Sequence, residues 1–325
     1  MKIGEINLKH GLILAPMAGF TDRAMRVICR RYGAEYCVTE MVSAKAVCFG
    51  DRKTHTLARI MPDETPAAVQ IFGSEPDVMA RAAEILSGGE EGGVAPAAID
   101  INMGCPVNKI FSNGEGSALM KNPELIYRIV KAVSGATDLP VTVKLRAGVD
   151  ETSKNAVECA RACEEGGASV IAVHGRTRKE MYSGKADRKI IKNVKKSVQI
   201  PVIANGDVKD ADSALSLFSD TCADGIMIGR GAIGNPFVFE EITARLEGRK
   251  YTPPTLDKRI ETALAELETA ILDKGEAVAT REARGRIALY FHSFRGVAEL
   301  RRRINLATSY KEVEDAIYTV IKGEV

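Results

Sequence analysis

The residue best suited to acid–base chemistry is Cys105, in the segment Asp100-Ile101-Asn102-Met103-Gly104-Cys105-Pro106. The segment follows an apolar run, and the flanking glycine and proline disfavour a helix there. A free thiol with a pKa of about 8.5 is mostly protonated at neutral pH, so Cys105 can donate a proton. A lowered pKa would instead make it a nucleophile, and burial in apolar surroundings would make it an inert packing residue. The residues around Cys105 must decide among these three roles.

Polar residues that could hold a cofactor also follow or end other apolar runs. Gln70, Lys144 and His174 each lie at the end of such a run. A cation beside a flavin would stabilise the negative charge that reduction places on its pyrimidine end, and an amide can hydrogen-bond the ring edge. Both features suit FMN. Alternatively, Lys144 is a surface lysine just past its strand, and His174 is a packing histidine with its hydrogen bonds satisfied.

Two glycine-containing segments follow the last two apolar runs. They are Asn205-Gly206-Asp207 and Gly229-Arg230-Gly231. In barrels of alternating strands and helices, the loops after the last two strands commonly bind phosphate through backbone N–H groups, and glycine lets the chain approach the phosphate closely. Arg230 would be available to pair with a phosphate dianion. The two segments therefore predict a phosphate site, with ordinary strand-to-helix turns as the alternative.

These residues need a scaffold that brings many strand ends to one place. Apolar runs recur at intervals of about 30 residues, each followed by a polar joint and an amphipathic stretch. We predict strands over 12–15, 35–38, 67–71, 98–101, 141–145, 170–173, 202–204 and 225–228. This order favours a parallel (β/α)₈ TIM barrel whose strand ends form one mouth. A doubly wound sheet is the rival fold, but no G-x-G-x-x-G follows the first strand.

The predicted helices lie between these strands and after the last one. They cover 21–31, 75–86, 123–133, 153–165, 188–196, 210–218 and 236–246. Asn122, Asp187 and Asp210 are predicted to cap helix starts. After Arg249, Pro253-Pro254 interrupts the chain, and the remaining pattern is helical without a strand signal. We therefore predict a catalytic barrel over 1–250 and a small all-helical domain over 251–325.

Composition narrows the possible classes of protein. The 325 residues carry 45 basic and 43 acidic side chains, a formal charge of +2, so overall charge does not indicate a nucleic-acid-binding protein. The first residues lack the apolar core of a signal peptide, and no apolar run approaches the roughly 18 residues of a membrane span, so we expect a cytoplasmic protein. Seven cysteines without a C-x-x-C pair predict free thiols. Cys159 and Cys163 are predicted to pack within a helix, and no metal site is expected.

Six segments, in chain order, resemble the signature segments of tRNA-dihydrouridine synthases, in particular the bacterial B-type enzymes. They cover 14–22, 100–106, 143–146, 174–178, 203–207 and 227–231. The resemblance continues more weakly in the tail, at Arg284, Tyr290, Phe294, Gly296 and Glu299-Leu300-Arg301.

The resemblance implies an FMN enzyme that uses NADPH to reduce uridine in tRNA to 5,6-dihydrouridine. Hydride would pass from flavin N5 to C6 of uracil, and the Cys105 thiol would protonate C5 from the opposite face of the base. The uridine must be extruded from the RNA to stack on the flavin. The implied FMN-binding residues are Pro16, Met17, Ala18, Gln70, Lys144, His174, Asn205, Gly206, Asp207, Gly229 and Arg230.

A local cluster of positive charge supports an RNA substrate. Seven arginines and two acids lie between Arg281 and Arg303, which suits a phosphate backbone, although such a run can also be a solvated helix face. The tail departs from the family pattern at Gly285-Arg286, where Lys-His is common, and at Leu289, where an aromatic is common. These departures affect how the tail would bind tRNA. We expect the protein to be a monomer. The predicted tRNA contacts are Asn102, Arg146, Arg176, Arg178, Arg284 and Arg286.

Two other functions are compatible with the same residues. One is an FMN-dependent barrel reductase of a small molecule, such as a dihydropyrimidine or an enone, which would need neither the arginine cluster nor a helical tail. The other is a non-catalytic RNA-binding protein that keeps the barrel. It would not need the thiol of Cys105.

Overall fold

Eight parallel strands close into a barrel in the computed structural model, which describes residues 1–323. Each strand pairs with the next along the chain, and the last closes the ring against the first, with Met227 opposite Ile13. A short antiparallel hairpin, Lys2–Ile3 with Ile6–Asn7, precedes the barrel. The strands are β1 (Leu12–Leu14), β2 (Tyr36–Ser43), β3 (Ala67–Phe72), β4 (Ala98–Met103), β5 (Val141–Arg146), β6 (Val170–His174), β7 (Val202–Asn205) and β8 (Gly225–Ile228). The predicted TIM barrel is confirmed.

Side chains of the strands alternate between the barrel interior and the helix-facing layer, as the pleat requires. In β4, Ala98 packs in the interior cluster, whereas Ile99 and Ile101 pack in the outer cluster against the helices. Asp100 and Asn102 alternate with these isoleucines and are buried on the interior side. The outer faces of the strands are therefore apolar, and the inner faces near the strand ends carry the polar groups.

The helices around the barrel include every predicted one. The side chains of Asn122, Asp187 and Asp210 accept backbone N–H bonds at the starts of the helices that follow them, which confirms these caps. No helix within residues 1–323 combines the length and apolar character needed to cross a membrane. The helices are α1 (Arg23–Arg31), α2 (Ala44–Cys48), α3 (Arg52–Ala58), α4 (Pro76–Ser87), α5 (Asn108–Ser112), α6 (Pro123–Gly135), α7 (Ala156–Glu165), α8 (Arg188–Ser197), α9 (Ala211–Thr221) and α10 (Val238–Leu246).

The tail of the chain is helical and has a core that it shares with the barrel. Its helices are α11 (Leu256–Lys274), α12 (Glu276–Ala283), α13 (Val297–Leu306) and α14 (Tyr310–Ile317). Leu267, Phe291 and Leu300 pack in one cluster with Ala24 of α1 and Phe237. The tail is therefore held to the barrel by apolar contacts. The boundary near residue 250 stays a prediction.

A buried ion-pair cluster also joins the tail to the barrel. Asp22 caps α1 by accepting from the backbone N–H of Met25, and it also receives hydrogen bonds from Arg286 Nη2 at 2.9 Å and Lys274 Nζ at 2.6 Å. Burial alone would raise the pKa of Asp22, but the two cations outweigh it and lower the pKa to about 2. Arg286 Nη1 further donates to the carbonyl of Phe20. The tail thus fixes the backbone that directly follows β1.

Candidate active site

The carboxyl ends of the strands surround a cavity of about 1560 Å³. This is the end of a TIM barrel at which reacting groups are found. Cys105 and Asn102 line the cavity, together with Arg146 and Arg176. The fold also brings every residue predicted to bind the cofactor to its wall: Pro16, Met17, Ala18, Gln70, Lys144, His174, Asn205, Gly206, Asp207, Gly229 and Arg230.

The Cys105 loop is held by its backbone. The N–H of Cys105 donates to Asn102 Oδ1 at 2.9 Å, and its carbonyl accepts from the hydroxyl of Ser117 at 2.7 Å. The side chain lines the cavity with 9% of the residue exposed. Burial raises the pKa of the thiol, with smaller opposing effects from the backbone N–H of Val107 and from nearby cations. The thiol is therefore protonated at neutral pH, which an acid needs and a nucleophile does not.

A chain of hydrogen bonds runs behind this loop. Gln70 Nε2 donates to Asp100 Oδ2 at 2.7 Å, and Asn102 Nδ2 donates to Gln70 Oε1 at 2.8 Å. The hydroxyl of Thr142 donates to the other oxygen of Asp100. Sequence reasoning missed Asp100 and Thr142 as site residues. The available signal was a carboxylate inside an otherwise apolar strand.

Burial lowers the pKa values of both Lys144 and His174. Lys144 makes no hydrogen bond or ion pair with the residues that the structure describes. Burial and the positive charge of Arg146 lower the pKa of Lys144 to about 8. Burial, followed by the surrounding cations, lowers the pKa of His174 well below its ordinary value, so its ring is neutral. The cavity thus contains an ammonium group without a protein partner and a neutral imidazole.

The two glycine loops pack closely against neighbouring chain. Gly206 has a φ of +134°, and a Cβ there would lie 2.6 Å from Cβ of Ala186. A Cβ on Gly231 would lie 2.1 Å from the carbonyl oxygen of Val208, so only glycine lets these loops meet. A Cβ on Gly229 would approach the sulfur of Met17 to 3.3 Å. Glycine at these positions therefore allows the loops to pack together at the cavity wall.

Arg230 lies at the mouth of the cavity beside these loops. Its guanidinium lies 4.6 Å from the ring centroid of Tyr182 and 3.8 Å from a carboxylate oxygen of Asp207, and its side chain is 53% exposed. The Asp207 carboxylate also accepts from Arg176 and from the N–H of Ala186. Sequence reasoning missed Tyr182, because it lies in an irregular loop distant from every predicted strand end.

The arginines predicted to contact tRNA near the mouth connect barrel loops to one another. Arg146 Nε donates to the carbonyl of Gly104, and its Nη1 donates to the carbonyls of Thr177 and Met181, over 2.8 to 2.9 Å. The loops after β4 and β6 are therefore tied together across β5. Arg146 has this structural role whether or not it also contacts RNA.

Arg176 and Arg178 have similar positions. Arg176 is buried and donates to Asp207 at 2.7 Å and to the carbonyl of Ser183. Arg178 donates to Asn108, and its guanidinium lies 4.0 Å from the ring centroid of Phe111. Their contact with tRNA, like that of Asn102, stays a prediction.

The tail arginines fall into three groups, according to their exposure and their ion pairs. Arg286 is buried at the joint with the barrel, and Arg284 is half-buried and donates to the carbonyl of Ala307. Contacts of these two residues with tRNA stay predictions. Arg302 and Arg303 form ion pairs with Glu299. Exposed arginines without an ion pair among the described residues are Arg281, Arg295 and Arg301.

The other cysteines of residues 1–323 are free thiols. Cys159 and Cys163 are buried free thiols on α7. Within residues 1–323, no group of three or more His, Cys, Asp or Glu side chains is placed to hold a metal ion. Cys105 is the free cysteine that lines the described cavity.

Comparison with solved structures shows the barrel fold. A 2-naphthoyl-CoA reductase has a TM-score of 0.57 at 13% identity, over 77% of this chain and 52% of that chain. Histamine dehydrogenase from Rhizobium sp. 4-9 has a TM-score of 0.55 at 15% identity, over 82% of this chain and 50% of that chain.

Sequence comparisons are more specific. A protein named probable tRNA-dihydrouridine synthase from Rickettsia conorii is 41% identical over 98% of this chain and 95% of its own length. The tRNA-dihydrouridine synthase B of Shewanella oneidensis is 42% identical over 89% of each chain. That of Vibrio vulnificus is 40% identical over 94% of each chain. The family model described as dihydrouridine synthase (Dus) matches residues 13–323. The chain therefore belongs to the dihydrouridine synthase family.

Proposed function

We propose that this protein reduces the C5–C6 double bond of specific uridines in tRNA to 5,6-dihydrouridine, with FMN as cofactor and NADPH as reductant. The observation that carries the proposal is the set of groups that line one cavity of this dihydrouridine synthase family member. Its wall combines a protonated thiol, an ammonium group without a protein partner and two closely packed glycine loops. The curated relatives are named for the same reaction on tRNA.

The residues present fit FMN. The cavity of about 1560 Å³ exceeds the several hundred Å³ of a typical cofactor site and leaves space for a base. Lys144 would lie at the pyrimidine end of the ring, with Gln70 and His174 hydrogen-bonding the ring system. When bound, FMN would supply the hydride for C6 of uracil, and NADPH would return the oxidised flavin to its reduced form. Pro16, Met17 and Ala18 would lie along the flavin, and the ribityl phosphate would be held by Asn205, Gly206, Asp207, Gly229 and Arg230.

Cys105 would supply the proton that completes the reduction. Its thiol would protonate C5 as hydride reaches C6, so two hydrogens add across the double bond and a thiolate remains. The positive charges of Arg146 and Lys144 lower the cost of that thiolate. The thiolate would then recover a proton from solvent. A uracil in a duplex exposes neither face, so the base must be extruded into the cavity.

The arrangement of charge supports an RNA substrate. Arg281, Arg295 and Arg301 are exposed on the helical tail without ion pairs among the described residues, which leaves them available to phosphates. A tRNA substrate implies the cytoplasm as the site of action. The buried Arg286 would contribute by holding the tail in place, in addition to any contact that it makes with tRNA.

The test is reduction of tRNA that lacks modified nucleosides. Purified protein is incubated with FMN, NADPH and a tRNA transcript, and the nucleosides are analysed by mass spectrometry. We expect dihydrouridine at defined positions and none without NADPH or protein. Free uridine and a cyclic enone serve as parallel substrates. Reduction of the enone with no product on any tRNA would favour a small-molecule reductase, and RNA binding without any reduction would favour a non-catalytic protein.

A further inference from the structure

Asp100 is a buried carboxylate in the wall of the barrel, behind the cavity rather than on its surface. It is 3% exposed. It accepts hydrogen bonds from Gln70 and Thr142, and both donors come from neighbouring strands, β3 and β5. Burying a carboxylate costs free energy, and the two hydrogen bonds offset part of that cost. The mechanism above assigns it no role.

The hydrogen bonds that start at Asp100 run in one direction to the backbone of Cys105. An ionised carboxylate only accepts, so it must face the nitrogen of the Gln70 amide. The Gln70 oxygen then faces Asn102, which presents its own nitrogen at 2.8 Å. The Asn102 oxygen is thereby left to accept from the N–H groups of Gly104 and Cys105, at 3.1 Å and 2.9 Å. Backbone N–H groups only donate, so both ends of the chain demand the same amide orientations.

We propose that Asp100 is a positioning residue that sets the orientation of the Gln70 and Asn102 amides and so holds the backbone of Cys105 in place. The proposal rests on the proposed role of Cys105 as the proton donor. It assigns Asp100 no contact with substrate or cofactor. It also gives Gln70 two functions, since the same amide that is proposed to bind the flavin links Asp100 to the thiol loop.

Two substitutions separate orientation from charge. Asp100→Asn removes the charge, but its oxygen can still accept from Gln70 while its nitrogen donates to the Thr142 hydroxyl, so the direction of the chain is kept. Asp100→Leu is similar in size and offers no acceptor, so the Gln70 amide loses the bond that anchors its nitrogen and is held from the Asn102 side alone. If Asp100 acted only as a negative charge near Lys144, the two variants would behave alike.

The experiment measures alkylation of Cys105 in the purified full-length protein, as isolated. Iodoacetamide labelling is followed by peptide mass spectrometry, and the Cys105 rate is divided by that of the exposed Cys222 in the same sample. The buried Cys163 reports unfolding. Thr269→Val, which removes a buried hydroxyl that donates to the carbonyl of Ala265 in the same helix, α11, is the matched control.

We expect Asp100→Leu to raise the Cys105 to Cys222 ratio about fivefold, the effect of losing one positioned hydrogen bond. Asp100→Asn and Thr269→Val should stay within about twofold of the unaltered protein, with Cys163 protected throughout. An unchanged ratio in Asp100→Leu with Cys163 protected would overturn the proposal. An equal increase in Asp100→Asn would also overturn it, in favour of a charge effect.

A second variant keeps the proposal testable if Asp100→Leu exposes Cys163. Gln70→Leu breaks the chain one link later and leaves the carboxylate in place, so it should raise the ratio to a similar extent. An unchanged ratio there would equally contradict the proposal. Because alkylation does not depend on turnover, this failure is distinguishable from failure of the proposed function, which shows only in the reduction of tRNA.

Discussion

At the residue scale, burial rather than a neighbouring cation sets the protonation state of Cys105. A thiol that acts as a nucleophile needs the opposite balance, in which cations or a helix N-terminus lower its pKa. The cations near Cys105, Arg146 and Lys144, have the smaller effect. They would stabilise the thiolate that remains after the proposed proton transfer. The same surroundings therefore suit the acid before the reaction and its conjugate base after it.

The pH dependence of the reaction should reflect this thiol. We expect the single-turnover rate of the pre-reduced enzyme to be constant through neutral pH and to fall in alkali, first as Lys144, with a pKa of about 8, loses its charge and then as Cys105 loses its proton. The measurement is dihydrouridine formed per tRNA in rapid-quench samples over a pH series. Cys222→Ser, which alters an exposed thiol far along the chain, should leave the profile unchanged. A rate that increases with pH would indicate a thiolate mechanism.

Lys144 should matter for the flavin more than for RNA. We expect Lys144→Met to slow flavin-dependent turnover at least tenfold, roughly the effect of removing one well-placed electrostatic group, because no other partner occupies its ammonium group. Affinity for tRNA should change by less than about twofold. Lys196→Met, on the exposed side of α8, is the control. Equal losses of turnover and tRNA affinity would instead assign Lys144 a structural role.

Much of the site was predictable at this scale, because residues at successive strand ends of a barrel must meet. Cys105, Gln70, Lys144 and His174 were all found in this way. Asp100 was missed because it lies below the strand end, and its function depends on which amides its neighbours present. A single sequence does not reveal the direction of a hydrogen-bond chain.

At the element scale, the joint between α1 and the tail connects two parts of the protein that lie far apart in sequence. Asp22 begins α1 and receives Arg286 and Lys274 from the tail. The Gly285-Arg286 departure from the family pattern thus acquires a structural explanation. Contacts between residues 264 positions apart cannot be read from local pattern, so sequence reasoning assigned Arg286 to tRNA alone.

Loss of this ion pair should destabilise the protein. In the Arg286→Met variant, the buried Asp22 would lose one cation but keep its ion pair with Lys274 and its hydrogen bond from the N–H of Met25. We therefore expect this substitution to lower the free energy of unfolding by about 2–3 kcal/mol at neutral pH. The measurement is urea denaturation followed by circular dichroism. Arg302→Ala, in an exposed ion pair with Glu299, should cause no measurable change.

The effect should also depend on pH in a defined direction. The pKa of Asp22 is lowered to about 2 in the folded protein, so its stabilisation is present above about pH 4, the value of an unfolded aspartate, and is lost as pH falls towards 2. The difference between the Arg286→Met variant and the unaltered protein should therefore shrink in acid. A difference that persists undiminished would show that Arg286 stabilises by packing alone.

Strands and long helices were predictable at this scale, whereas short helices were not. The helices α2, α3 and α5 have five to seven residues, too few to establish a helical repeat. The strand β2 continues to Ser43, past its predicted end at residue 38, around an irregular pairing between Val38 and Met41. Such irregularity interrupts the alternation on which a strand prediction depends.

At the scale of the whole molecule, the tail carries local positive charge on a chain that is nearly neutral overall. The cluster is smaller than the sequence predicted. Of its seven arginines, Arg286 is buried at the joint, and Arg302 and Arg303 share Glu299. Tertiary pairing of this kind is invisible in a count of charges. Exposed residues such as Arg301 are the ones that we propose as electrostatic contacts for RNA.

The salt dependence of tRNA binding should distinguish these arginines. We expect Arg301→Ala to weaken binding and to reduce the slope of log affinity against log salt by about 1, because one phosphate contact is lost. Arg302→Ala should have a smaller effect, since its guanidinium is shared with Glu299. Fluorescence anisotropy with labelled tRNA over a salt series gives both slopes. Identical slopes for Arg301→Ala and the unaltered protein would remove Arg301 from the interface.

One cavity is proposed to reduce uridine in tRNA, with the Cys105 thiol as the source of the proton. The most direct test compares Cys105→Ala with the unaltered protein in single-turnover reduction of an unmodified tRNA transcript, with flavin content and tRNA affinity measured on the same samples. We expect the variant to retain flavin and tRNA binding and to lose at least about a hundredfold in the rate of dihydrouridine formation. Full activity in the Cys105→Ala protein would contradict the role of Cys105 as the proton donor.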